Sequence, residues 1–266
     1  MNLLQKTGAW LRAAIRIPLN IRTIARSAAR PITVHVSPPI VQVSPPVVNL
    51  PPESPWRDIA PNSEAALFKA MSDSALARTV QIVEQEMPDA LILLDGLAFL
   101  RLALSKAPVD GAHCEFGVFS GATINHLAEQ RPQQTFHGFD SFHGLPEDWS
   151  GYMPFDFDRK GTPPEVNANV RLHVGLFEDT LPAFAAAIEQ VAFLHVDCDL
   201  YSSTATIFRR LGPKLMRGCV IAFDEYFCYP GFERHERKAF REFLDCSGRT
   251  ATWIACCGQR AACILD

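Results

Sequence analysis

Apolar and polar positions follow two periods along this chain. From residue 112 onward, short apolar runs of strand length alternate with longer stretches of helical period. H-C-E-F-G-V-F-S-G-A-T-I-N-H-L-A-E predicts a strand, a glycine-containing turn and a helix near 121–130. T-F-H-G-F-D (135–140), N-V-R-L-H-V-G (169–175), V-A-F-L-H-V-D (191–197) and G-C-V-I-A-F-D-E (218–225) predict four further strands. Helical stretches near 180–190, 203–216 and 233–245 separate most of them. Upstream, residues 63–88 and 89–106 predict two helices, the second rich in leucine and alanine and stopping before Pro108. At the C-terminus, T-A-T-W-I-A-C and R-A-A-C-I-L-D predict two close strands around Gly258. Strands alternating with helices imply right-handed crossovers and a parallel sheet. The predicted fold is α/β: a mostly parallel sheet with helices on both faces and an antiparallel edge hairpin at the C-terminus.

The first 55 residues follow a different pattern. Lys6, Arg12, Arg16, Arg22, Arg26 and Arg30 precede the first acid, Glu53. At 100° per residue the five arginines share an arc of roughly a third of a turn, with Leu3, Trp10, Ile17, Ile21 and Ile24 nearly opposite. Residues 1–30 therefore read as a basic amphipathic helix suited to an anionic membrane surface, kinked at Pro18. An organelle transit peptide and a disordered basic tail share this composition. Residues 31–55 repeat V-H-V-S-P-P-I-V, V-Q-V-S-P-P-V-V and N-L-P-P, a density of proline that favours an extended spacer. The globular domain is expected over residues 56–266.

Composition narrows the function classes. The formal charge of -4 gives no basic field for nucleic acid. The eight cysteines form no C-x-x-C pair, and several sit in apolar runs, so a reduced, cytoplasmic setting is expected, with peripheral membrane contact through residues 1–30. A homo-oligomer is compatible with this reading.

The candidate chemistry lies at the strand ends, where open α/β sheets bind ligands. Gly117 and Gly121 flank the turn after the first strand, which ends at Glu115. The second strand ends at Asp140, about twenty residues on, where doubly wound folds place the acid that holds a ribose. Together they point to a nucleoside-bearing cofactor, with Leu176 and Phe177 as an apolar slot for a base. F-L-H-V-D-C-D-L-Y and F-D-E then bring Asp197, Asp199, Asp224 and Glu225 to neighbouring strand ends, with no lysine or arginine in either turn. Either a hard divalent cation, best Mg²⁺, sits among these acids, or one binds cofactor and the rest face water.

Residues from about 90 to 232 resemble a class I S-adenosylmethionine-dependent methyltransferase of the macrocin O-methyltransferase-like family. The resemblance is carried in order by E-F-G-V-F-S-G, G-F-D-S-F-H-G-L-P-E-D-W, V-G-L-F-E-D-T-L-P, H-V-D-C-D-L-Y-S-S-T and F-D-E-Y-F. It implies a Rossmann-like, seven-stranded sheet whose last strand is antiparallel. It implies that Glu115, Gly117, Val118, Phe119 and Gly121 line the methionine end of the cofactor. It places Asp140 and Ser141 at the ribose, Gly175, Leu176 and Phe177 at adenine, and Asp197 against both cofactor and metal. It implies Mg²⁺ on Asp197, Asp224 and Glu225, the last a longer ligand than the aspartate the family more often carries. The activity implied is methyl transfer to a hydroxyl of a small molecule or glycoside, with the metal lowering the hydroxyl pKa.

For a general base the candidates are His235, Tyr226 and Tyr201, each with a competing role in packing; the H-E-R-K segment around His235 reads more simply as an exposed helix start. His137, His173 and His195 read as core or rim histidines. Residues 149–165 read as a loop able to cover the pocket. Two other readings compete: an NAD-dependent reductase, disfavoured by the missing G-x-G-x-x-G, and a non-catalytic cofactor-binding scaffold anchored by the basic N-terminus.

Overall fold

The computed structural model describes residues 63–149 and 157–266. The basic segment 1–30, the proline-rich stretch 31–55, the expected domain start at Trp56 and the centre of the 149–165 loop lie outside the described residues.

Helix α1 spans Ser63–Glu86 and ends ahead of Pro88, whose ring disfavours helix in the residue before it. A short strand β1 (Leu91–Ile92) follows, then α2 (Gly96–Lys106). One long helix over 89–106 was expected, and the structure divides it. Asp95 caps α2, its Oδ1 accepting from the Ala98 amide at 2.6 Å, so the helix starts there. The residues before that cap extend and pair with a later strand.

The remaining elements are β2 (Ala112–Phe116), α3 (Ala122–Gln130), β3 (Phe136–Asp140), β4 (Val170–Val174), α4 (Phe177–Ala187), β5 (Val191–Val196), α5 (Tyr201–Leu211), β6 (Leu215–Phe223), α6 (Glu236–Ser247), β7 (Ala251–Cys257) and β8 (Arg260–Leu265). They form one eight-stranded sheet in the order β1-β7-β8-β6-β5-β2-β3-β4. Strand β8 is antiparallel to both β6 and β7; every other pairing is parallel. The C-terminal hairpin is thus present, with β8 inserted beside β6 and β7 outside it. The eighth strand is the two-residue β1, in register with β7 at Leu91↔Ala255 and Ile92↔Cys256.

Alternation along the central strands separates two cores. Leu194, Val196, Ile221 and Phe223 pack with α4, α5 and α6, while Phe193, Val220 and Ala222 pack with α2 and α3. Strand β5 is buried at every position, as its continuous apolar run requires. All the parallel strands end at one edge, and Glu115, Asp140, Asp197 and Asp224 lie there.

Candidate active site

The turn after β2 approaches β5 so closely that only glycine fits at residue 117. Its φ is 91°, and a Cβ there would overlap the Asp197 carbonyl oxygen. Asp140, at the end of β3, fastens this turn from the other side. Its Oδ2 accepts from the Val118 and Phe119 amides at 2.9 and 2.8 Å, and its Oδ1 accepts from the Phe142 amide at 2.7 Å. Phe119 is held at a positive φ of 43° with its ring packed edge-on to Phe157. These strand ends surround a cavity of about 590 Å³, within the size range of small-molecule sites.

Gly117, Val118, Phe119, Asp140 and Ser141 line the cavity on one side. Gly175, Leu176, Phe177 and Asp197 line the others. Gly121 is outside the lining, where its α-carbon faces Pro164 and Glu165 at the end of the 149–165 loop. Glu115 is placed differently from the expectation. Its side chain is fully buried beneath the turn, where Oε1 accepts from the Thr123 hydroxyl at 3.0 Å and Oε2 pairs with His195 Nδ1 at 2.8 Å. The reason is its place on β2, in register with His195 of β5, with which it pairs outside the cavity lining.

The acidic cluster is larger than the strand ends alone suggested. Glu115, Asp197, Asp199, Asp224 and Glu225 are joined by Glu236, from the first turn of α6. Burial and the Asp224 charge push Asp197 well above the usual carboxylate range; burial and the Asp197 charge do the same to Glu225. Burial and Asp199 push Glu236 up likewise, and Asp199 itself is raised to about 7 by burial and Asp224. Glu225 Oε2 and Glu236 Oε1 are buried without a hydrogen-bond partner.

Two positive groups answer part of this charge. Arg260, the first residue of β8, forms a bidentate pair with Asp224: Nε donates to Oδ1 at 2.5 Å and a terminal nitrogen donates to Oδ2 at 2.9 Å. Burial opposes the charged form of His195, but the Asp224 and Glu115 carboxylates outweigh it and hold its pKa well above the usual value. Asp224 alone is depressed: burial raises it, and His195 and Arg260 more than reverse that. Neither the hairpin arginine nor the α6 glutamate was found in sequence. The first stands 36 residues from its partner and the second is followed by Arg237 and Lys238, like a solvated helix start.

The expected metal triad is only partly assembled. One ligand atom each of His195, Asp197 and Asp224 lies within 4.8 Å of the other two, whereas Glu225 falls outside this group. The remaining oxygens still suit a divalent cation: a carboxylate that accepts a bidentate arginine keeps further lone pairs, and the cluster retains an excess of acids.

The candidate bases are distributed unequally. The Tyr226 ring lies in the core against Phe223, Phe240 and Trp253, and its hydroxyl accepts from Arg237 at 3.2 Å. It is 1% exposed and burial pushes its pKa up, so it faces away from the cavity. His235 is buried between Trp149 and Tyr229, outside the cavity lining, and its helix start is buried where an exposed one was expected. Tyr201 does line the cavity, with its hydroxyl donating to Glu242 at 2.6 Å. His137 and His173 pair with one another at 3.1 Å beside Phe139 and Phe184, as rim residues. The described part of the 149–165 loop reaches the cavity through Phe157.

Comparison with known proteins agrees with this geometry. Residues 164–249 match the family described as macrocin-O-methyltransferase (TylF). The calicheamicin methyltransferase CalS11 shares the fold at 23% identity and a TM-score of 0.50, covering 63% of this chain and 76% of that one. The O-methyltransferase NovP aligns at 23% identity and a TM-score of 0.48, over 63% of this chain and 78% of its own. TomG from Streptomyces achromogenes, an O-methyltransferase of tomaymycin synthesis, aligns at 20% identity and 0.43, over 74% and 89%. A comparison with curated proteins gives no match. Over residues 164–249 this chain is therefore similar to the macrocin O-methyltransferase family, and its sheet has the fold of the methyltransferase CalS11.

Proposed function

We propose that the protein transfers the methyl group of S-adenosylmethionine to a hydroxyl of a small, sugar-containing or similar acceptor with the help of a divalent cation, Mg²⁺ in the first instance. The observation that carries this reading is the convergence of the Gly117 turn, Asp140 and Asp197 on one cavity. The chemistry supplied when the two groups are bound is a sulfonium methyl and Lewis-acid polarisation of the acceptor hydroxyl. The chain's own residues do the rest. The turn at 117–119 offers close backbone approach. Asp140 Oδ1 accepts one backbone N–H and keeps lone pairs for ribose hydroxyls. Leu176 and Phe177 give an apolar wall for the base. Asp197 faces the cavity from the buried acid cluster, where it would hold the cation and take the acceptor's proton. Holding acceptor oxygen and methyl carbon in line at near-attack distance supplies most of the rate.

The test is metal removal with a candidate acceptor. Activity disappears with EDTA and returns with Mg²⁺. Asp197→Asn lowers turnover on the order of a hundredfold or more, while affinity for S-adenosylmethionine changes little. Activity that survives EDTA overturns the metal and leaves the cofactor pocket in place. A non-catalytic scaffold would bind S-adenosylmethionine without turnover on any acceptor.

A further inference from the structure

We infer that the cation site is a mixed imidazole–carboxylate site, with His195 Nε2 as a direct ligand beside Asp197 and Asp224, and that it selects Mn²⁺ over Mg²⁺. The inference rests on the reading that this cluster binds a divalent cation. It departs from the triad of Asp197, Asp224 and Glu225 in its third donor and in the metal it favours.

The geometry of His195 is the argument. Its side chain is fully buried, and its two ring nitrogens have different surroundings. Nδ1 lies 2.8 Å from Glu115 Oε2, and Glu115 is itself held by the Thr123 hydroxyl. Nε2 has no hydrogen-bond partner and faces Asp224 Oδ1 at 3.7 Å, within the 4.8 Å group that includes Asp197. A histidine that ligates a metal almost always donates its other ring N–H to a carboxylate or carbonyl, which fixes the tautomer and aims the free lone pair. Glu115 is placed to receive that N–H, and a cation that binds at Nε2 displaces the proton that nitrogen carries in the metal-free protein.

The same arrangement assigns other residues. Glu115 becomes the orienting carboxylate of His195, which accounts for its burial outside the cavity lining. Arg260 orients Asp224 through its bidentate pair. Both are positioning residues. Imidazole nitrogen suits the later divalent metals, whereas Mg²⁺ prefers oxygen ligands in strict octahedral geometry. A site with one nitrogen and two carboxylates falls between, and Mn²⁺ accepts both donor types.

The full-length protein is loaded with Mn²⁺ alone and studied by electron spin-echo envelope modulation. The expected result is nitrogen modulation from a directly bonded imidazole, shifting when histidine is labelled with ¹⁵N. Asp197→Asn, a substitution at a half-buried position, is expected to abolish the bound-Mn²⁺ signal and so to assign it to this cluster. In competition, Mn²⁺ is expected to bind about tenfold or more tightly than Mg²⁺. Bound Mn²⁺ without nitrogen modulation, or with modulation that survives Asp197→Asn, overturns the His195 ligand while leaving a carboxylate cation site. No saturable Mn²⁺ or Mg²⁺ binding overturns the cation reading itself, and this proposal with it.

Discussion

At the scale of single residues, Asp140 has two tasks. It lines the strand-end cavity, and it fastens the Gly117 turn through the Val118 and Phe119 amides while also accepting from the Phe142 amide. Asp140→Ala is therefore expected to weaken S-adenosylmethionine binding by roughly 1.5–3 kcal/mol and to lower thermal stability as well. Titration calorimetry and a melting curve read both effects, and unchanged affinity would remove Asp140 from the ribose site. The sequence made Asp140 and Asp197 legible because an acid at a strand end, at a set distance from a glycine turn, is a local pattern. His195, Arg260 and Glu236 were illegible as site residues. Each acquires its role from a partner on another element, and nothing local separates a buried, paired side chain from a solvated one.

Elements set the shape of the cavity. The β2–α3 turn passes over the end of β5 with room only for a hydrogen at the 117 α-carbon. Gly117→Ala is expected to cost about 3 kcal/mol or more in stability, read by denaturant unfolding; a loss under 1 kcal/mol would show that the two turns part easily. Most strands and helices were readable from period alone. The exception is β1, where Leu91 and Ile92 look like part of a helix. The Asp95 cap, and pairing with a strand more than 160 residues later, make them an edge strand instead. A two-residue strand leaves no period to detect, and its Leu91 and Ile92 side chains are exposed.

At the scale of the whole molecule, the buried acids tie stability to pH and, under the proposed function, to metal. Asp199, with a folded pKa of about 7 against an ordinary value of 3.8, binds more protons folded than unfolded between those values. Its contribution is fully present below 3.8 and is lost as pH rises through 7. Asp197, Glu225 and Glu236 are shifted in the same direction. His113 and His137, both lowered to about 4 by burial and then by the charges of Arg131 and His173 respectively, act oppositely, but only below about 6.5. Between pH 8 and 6.5 the metal-free protein is thus expected to gain stability as pH falls. Saturating divalent cation should raise stability most at pH 8 and flatten the dependence. A denaturation midpoint that falls over this range, or does not respond to metal, would contradict the account of the cluster.

The proposed function puts one cofactor in the cavity at the carboxyl ends of β2, β3 and β5. Calorimetric titration of S-adenosylmethionine into the full-length protein tests this most directly. The account predicts saturable binding with one site per chain, competed by S-adenosylhomocysteine and weakened in Asp140→Ala. An absence of saturable binding, or binding that Asp140→Ala leaves untouched, would contradict it.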